Sequence, residues 1–184
     1  MRNEAVTMKL MIMDACVLID FVKTAPSVLA LIADCVGPIH VLNAVVEEVN
    51  EIKAEDDLTA LGLTVVEPEI EDAYAAASGS GPTSFQDRLC LLTAKRHGFH
   101  CVTNDTNLRK LCKAEAVSLL WGLELLAELH KAGGISGKYA EQVAQAIRKS
   151  NPKHITAKII TDFLEIIRRQ ESQSIRRNPG TPQK

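Results

Sequence analysis

The chain predicts an α/β fold: a three-layer α/β/α sandwich with a central parallel sheet, followed by a C-terminal helical extension. Three observations carry that expectation. Short apolar runs of strand character alternate with helical stretches as far as Leu120. From Trp121 onward the pattern is helical only. Four carboxylates, Asp14, Glu48, Asp87 and Asp105, each stand where an apolar run stops. In an open parallel sheet the strand ends converge on one edge, so acids far apart in sequence can gather there.

The elements follow in order. Leu10–Met13 reads as a strand, followed by an apolar helix through Val17–Phe21 and a second helix near Pro26–Cys35. Ile39–Leu42 is a short strand leading into a helix over 44–54, and Leu63–Val66 is another strand. Ile70–Ala77 is helical, and Ser78-Gly79-Ser80-Gly81-Pro82 is a loop by composition. Ser84–His97 is a helix with Phe85, Leu89 and Leu92 on one face, stopped by Gly98. Strand His100–Thr103, helix Thr106–Lys113 and strand Val117–Leu120 complete the alternating unit, and such alternation implies a parallel sheet covered by helices.

Beyond it, Trp121–Ala132 ends at Gly133-Gly134, a glycine helix stop. Helices Ser136–Lys149 and Thr156–Arg169 follow, separated by Asn151-Pro152. Ile159, Ile160, Phe163, Ile166 and Ile167 form an apolar stripe on the last of them, the pattern of a core face or a partner surface. The organisation expected is a catalytic unit over 8–130, a helical extension over 131–170 and a disordered basic tail over 171–184.

Composition narrows the class. At 184 residues and 46% hydrophobic, the chain can bury one good core and a modest extension. No apolar run approaches the roughly 20 residues of a membrane span, and the N-terminus has no signal-type cleavage site. The five cysteines are odd in number, contain no CxxC and lie mostly in apolar segments. They read as reduced, buried thiols of a cytoplasmic protein, not a disulfide frame or a zinc site. The net charge is only -2, but it is unevenly spread: residues 1–130 sum to -9 and residues 131–184 to +7. A basic end attached to an acidic body can attract a polyanion, or can be no more than a solvated helix and tail.

Each acid has a structural alternative to a functional one. Asp14 lies between Leu10-Met11-Ile12-Met13 and Ala15-Cys16-Val17-Leu18-Ile19, where burying a lone charge is costly unless it is paired or cation-bound. Its alternative is to cap the following helix. Asp20, further along that helix, reads as structural. On the helix expected at 44–54 the apolar stripe is Val45, Val46, Val49 and Ile52. At about 100° per residue Glu47 points away from that stripe while Glu48 lies at its edge, which makes Glu48 the candidate. Asp87 completes Ser84-x-x-Asp87, close to a capping box. Asp105 can cap the helix after it, but Thr103-Asn104-Asp105 also places three oxygen donors at a strand end. Gathered carboxylates repel unless a cation neutralises them, and oxygen donors suit Mg²⁺ or Mn²⁺.

Other chemistries fit less well. There is no Asp-x-Asp after the first strand, as a dehalogenase-type phosphatase needs, and no acid pair of the receiver type. Gly79-Ser80-Gly81 lacks the Lys-Ser/Thr of a nucleotide loop. His97 and His100 have no partner at zinc spacing, and no Ser or Cys has a readable His partner.

The segments Ile12-Met13-Asp14-Ala15-Cys16-Val17-Leu18-Ile19, Val45-Val46-Glu47-Glu48-Val49, Ser84-Phe85-Gln86-Asp87 and Val102-Thr103-Asn104-Asp105 resemble those of PIN-domain nucleases, most closely the VapC-like toxins and related small prokaryotic PIN proteins. The resemblance covers about Lys9 to Leu129. It implies that Asp14, Glu48, Asp87 and Asp105 bind Mg²⁺ or Mn²⁺ and catalyse hydrolysis of RNA, with Thr103 as the usual hydroxyl residue before the last acid. Cys16 stands where the family often has Asn, Ser or Thr, which predicts the loss of one polar contact near the first acid. The acids Glu67, Glu69, Glu71 and Asp72 make the middle of the chain unusually negative for a nucleic-acid enzyme, and the helices after Trp121 are similar to the extended C-termini of some relatives.

The function expected is therefore that of a metal-dependent endoribonuclease, the toxin half of a toxin–antitoxin pair. Arg88, Arg109 and Lys110 are candidates to contact RNA phosphates. The apolar stripe of the last helix is a candidate antitoxin or homodimer contact. The alternative, from another class, is a catalytically silent PIN-fold module that binds RNA or a protein.

Overall fold

The computed structural model describes residues 8–177. Five strands, β1 (Met11–Met13), β2 (Ile39–Leu42), β3 (Leu63–Val66), β4 (His100–Val102) and β5 (Leu119–Leu120), form one parallel sheet in the order β3-β2-β1-β4-β5. Helices cover both faces, giving the α/β/α sandwich expected. A central strand of a parallel sheet is covered on both sides and so reads as an unbroken apolar run. Met11, Ile12 and Met13 are accordingly all fully buried.

Ten helices lie along the described residues: α1 (Ala15–Thr24), α2 (Ser27–Cys35), α3 (Asn43–Val46), α4 (Glu55–Ala60), α5 (Ile70–Ser78), α6 (Phe85–His97), α7 (Thr106–Ala114), α8 (Gly122–Lys131), α9 (Gly137–Ser150) and α10 (Ala157–Arg177). α6 packs on β1 and β4, flanked by α5 and α7; α2 packs against α1 and α8, α9 against α1 and α8, and α10 against α8 and α9. α6 ends as the sequence predicts: Gly98 takes the left-handed conformation (φ +67°) and its N–H bonds the carbonyl of Ala94.

Three expectations need correction. The helix expected at 44–54 is only Asn43–Val46. Beyond it, Glu48, Val49 and Ile52 each bond the carbonyl three residues back, so the chain runs through tight turns before α4. The last helix does not stop at Arg169 but continues to Arg177, so the tail expected at 171–184 is helical over 171–177, and residues 178–184 lie outside the described part. The apolar stripe is not a free partner surface. Ile160, Phe163 and Ile167 are buried, Ile159 is half-buried against the same core, and Ile166 is exposed. Its partners are α8 and α9 of the same chain.

Among the described residues no single helix is long and apolar enough to cross a membrane. α1 and α2 reach the required length only as a pair bent by 119°, and Val17, Leu18, Phe21, Val28, Leu29 and Ile32 of that pair are core residues.

Candidate active site

In the order β3-β2-β1-β4-β5 the chain leaves β1 in one direction for β2 and later returns to its other side as β4. The crevice between the carboxyl ends of β1 and β4 is thus the switch point where open α/β sheets place their ligands. Asp14 directly follows β1, and its N–H bonds the carbonyl of Val102 at the end of β4. Thr103, Asn104 and Asp105 follow β4. Two of the four acids are therefore brought to one crevice by the topology alone.

Asp14 occupies the N-cap position of α1 yet makes no capping bond with its side chain. Asp14 is 4% exposed, and its carboxylate turns instead toward Cys16 and Thr103. The Cys16 thiol donates to Oδ2 at 2.9 Å and the Thr103 hydroxyl donates to the same oxygen at 2.8 Å. Burial raises the Asp14 carboxyl above the ordinary aspartate range; these two donors oppose the rise and the charge of Asp87 adds to it. The polar contact that Cys16 was expected to forfeit is thus supplied by its thiol. Burial and the adjacent carboxylate push that thiol far up, so it serves as a donor and not as a nucleophile. Its signal in the sequence was its place in the first turn of a helix, two residues after a strand-end acid.

Thr103 links two of the acids. While donating to Asp14, its fully buried hydroxyl accepts the N–H of Asp105 at 3.0 Å. Asp105 caps α7: Oδ1 accepts the N–H groups of Asn107 and Leu108 at 2.9 and 2.8 Å. Asp87 and Ser84 form the capping box, Oδ2 accepting the Ser84 N–H and the Ser84 hydroxyl accepting the Asp87 N–H. Capping is therefore realised at both acids, and among the described hydrogen bonds it engages a single carboxylate oxygen of each.

Glu48 is exposed, but burial and the charges of Asp14 and Asp87 hold its carboxyl above the ordinary range. Glu47 accepts from the Asn43 amide at 3.2 Å. The helical phase used to prefer Glu48 over Glu47 does not apply, since α3 stops before both. Asp14, Glu48 and Asp87 thus share one electrostatic neighbourhood, and Asp105 is joined to Asp14 through Thr103. Among the described residues no three His, Cys, Asp or Glu side chains are close enough together to form a metal-binding group.

Asn104 is not the third oxygen donor expected. Its amide nitrogen donates to Asp20 at 3.4 Å and its oxygen accepts the Gly122 N–H at 3.1 Å. Asp20, 4% exposed on α1, also accepts two bonds from the Asn151 amide, at 3.0 and 3.3 Å. Burial raises its carboxyl and the two amides oppose the rise. Asp20 is structural, as expected, and it pins the turn between α9 and α10 to the segment that carries Thr103 and Asp105.

Two of the three phosphate candidates are occupied otherwise. Arg88 donates Nε to the carbonyl of Ala76 at 2.7 Å and a terminal nitrogen to the carbonyl of Thr83, so it closes the glycine-rich loop between α5 and α6. The Arg109 guanidinium lies 3.2 Å from the centroid of the Trp121 ring, burial lowers its pKa, and its Nε has no partner among the described residues. Lys110 is exposed and lines a cleft of about 420 Å³ with Thr83, Leu91, Leu92, Asn107 and Leu111. None of the four acids lines that cleft. In comparisons with known proteins no family model matches the chain, and neither a curated protein nor a solved structure does.

Proposed function

We propose that this chain is a metal-dependent ribonuclease of the PIN-like kind, hydrolysing RNA phosphodiester bonds as the toxin component of a toxin–antitoxin pair. The observation that supports it most is Asp14: a buried carboxylate at the switch point of a parallel sheet, at an N-cap position it does not use, with Asp87 and Glu48 in its field. Isolated buried charge is costly, and a cation would relieve both the burial and the repulsion. The donor set fits a hard cation, being carboxylate and hydroxyl oxygen. Asp14 and Asp105 would be its primary ligands, with Asp87 and Glu48 completing the shell or orienting water.

Bound Mg²⁺ or Mn²⁺ supplies an acidified water and neutralises phosphate charge. The chain's own residues do the positioning. Thr103 holds Asp14 and the Asp105 backbone in fixed relation, and the Cys16 thiol fixes the orientation of the Asp14 carboxylate. Lys110, exposed one turn beyond the cap of α7, is the best-placed cation for the RNA backbone.

A second reading is favoured by the caps. Asp87 and Asp105 are both committed to helix starts, and no three acids form a metal-binding group among the described residues. Those features suit a silent PIN-fold module that binds RNA or a protein. Mn²⁺-dependent cleavage of a panel of RNAs, with Asp14→Asn and Asp105→Asn as controls, separates the two. Cleavage that both substitutions abolish supports the enzyme; wild type as inactive as the variants on every RNA leaves only the module.

A further inference from the structure

β3 is the outermost strand on its side of the sheet. It pairs in register with β2 from Leu63 to Val66. Among the described residues its backbone makes no bond beyond that ladder. An open edge of this kind is a template for another strand, and proteins usually guard it with lysine, proline or a bulge. Here Thr64 and Val65 are exposed and no lysine stands on the strand; Pro68 comes only after it. Four residues past the strand α5 begins with Ile70, and Tyr74 follows one helical turn later on the same face. These two are 71% and 73% exposed, the most open large apolar side chains among the described residues.

The charge around this edge is predominantly negative. After Lys53, residues 54–86 contain seven carboxylates and no Lys, Arg or His. Glu55, Asp56, Glu67, Glu69 and Glu71 are exposed, and among the described residues none has an ion-pair partner. Among the nearby cations, Arg96 of α6 is held by Asp72 through two bonds of 2.6 and 2.7 Å with Glu69 and Glu71 in its field, and Lys53 stands just before α4. A second copy would bring the same negative edge against itself, and RNA would bring phosphates; both are repelled. A cationic polypeptide is attracted.

We propose that β3 is the docking edge for a basic, extended protein segment with apolar residues at alternate positions, which adds to the sheet as a further strand. Main-chain bonds along Leu63–Val66 would supply affinity, the carboxylates would select a lysine- or arginine-rich segment, and Val65, Ile70 and Tyr74 would receive its apolar side chains. The inference is independent of the nuclease reading, and its test has no nuclease readout.

The test is fluorescence anisotropy of the full chain with a labelled peptide alternating lysine and valine. Its counterparts are the glutamate–valine peptide and a lysine–valine peptide N-methylated along one edge. Binding by the basic peptide alone is expected, lost on N-methylation and weakened about tenfold by the triple substitution Glu67→Lys, Glu69→Lys, Glu71→Lys. All three sites are exposed, so the fold should survive, and amide exchange at Thr64–Val66 should slow when the basic peptide is bound. The inference is overturned if the acidic peptide binds as well, if N-methylation or the triple substitution changes nothing, if single-stranded RNA occupies the same edge, or if the chain dimerises through it.

Discussion

Removing the Asn151 amide tests how far the helical extension is built into the body of the protein. Asn151 donates at 3.0 and 3.3 Å to the two carboxylate oxygens of Asp20, a residue that is 4% exposed. A hydrogen bond to a charged group contributes about 1.5–3 kcal/mol, and a buried charge that loses its donor costs more than the bond was worth. The second bond is long and the Asn104 amide remains, so Asn151→Ala should cost about 2 kcal/mol. For a chain of 184 residues the unfolding entropy is about 0.4 kcal/mol/K, so that loss lowers Tm by about 5 °C.

The pH dependence gives the sharper check. The Asn151 amide lowers the Asp20 carboxyl while burial raises it, so Asn151→Ala raises the folded carboxyl further above its unfolded value of 3.8. A folded state that holds its proton more tightly loses stability as pH rises through that window. The deficit of the variant should therefore be full near neutrality and shrink as pH falls through the raised Asp20 carboxyl, where the folded state takes up its proton. Urea unfolding followed by far-UV circular dichroism at several pH values measures it. A loss below about 0.5 kcal/mol at neutral pH would refute the reasoning, since it is within the scatter of an ordinary surface change. A loss that does not vary with pH would refute it equally.

Three further outcomes follow from single contacts. Arg109→Ala removes the cation over Trp121 and should cost about 1–2 kcal/mol; Trp121 is the sole tryptophan, so its emission should also shift, and an unchanged spectrum would exclude the stacking. Gly98→Ala places a Cβ at φ +67° with nothing within 4 Å to hinder it, so only backbone strain acts and the loss should be about 1–2 kcal/mol; a neutral result in a denaturant melt would contradict the left-handed cap. In the native protein Cys35, the half-buried thiol away from the acids, should react first with an aromatic disulfide reagent, and Cys90, Cys101 and Cys112 only after unfolding. Rapid native reaction at Cys16 would contradict the raised thiol beside Asp14.

Strand and helix alternation was legible because the periodicities differ and the core is regular. Leu10–Met13 and His100–Thr103 are unbroken apolar or β-rich runs, and those are what two-sided burial requires. The helix expected at 44–54 failed for an identifiable reason. Val45, Val46, Val49 and Ile52 keep a helical spacing, and three-residue turns satisfy it nearly as well as an α-helix over so short a span. Only Val45 and Val49 are fully buried, with Val46 and Ile52 packed beside them. The stripe on α10 was legible as apolar but not as internal, because helical spacing is the same whether the face meets a partner or helices α8 and α9.

The acids show where residue type stops and geometry takes over. A strand-end Asp before a helix fits both a cap and a ligand, and the sequence signals of the two are identical. Structure separates them by which donors the carboxylate meets. Asp105 and Asp87 meet backbone N–H groups of their own helix starts, whereas Asp14 ignores the start of α1 and meets Cys16 and Thr103. A cap stabilises a helix wherever it occurs, so Asp87 and Asp105 are explained without any reaction. Asp14 is not: its burial costs stability, its neighbours Asp87 and Glu48 add to that cost, and no fold element depends on its charge. A group kept at a net cost to the fold is the one that points to function. Asp14→Asn should therefore raise Tm at neutral pH and lose that advantage at about pH 3, where the acid is protonated in both states. A substitution that instead lowers Tm at neutral pH would make Asp14 a structural residue and remove the principal support for a catalytic site at this crevice.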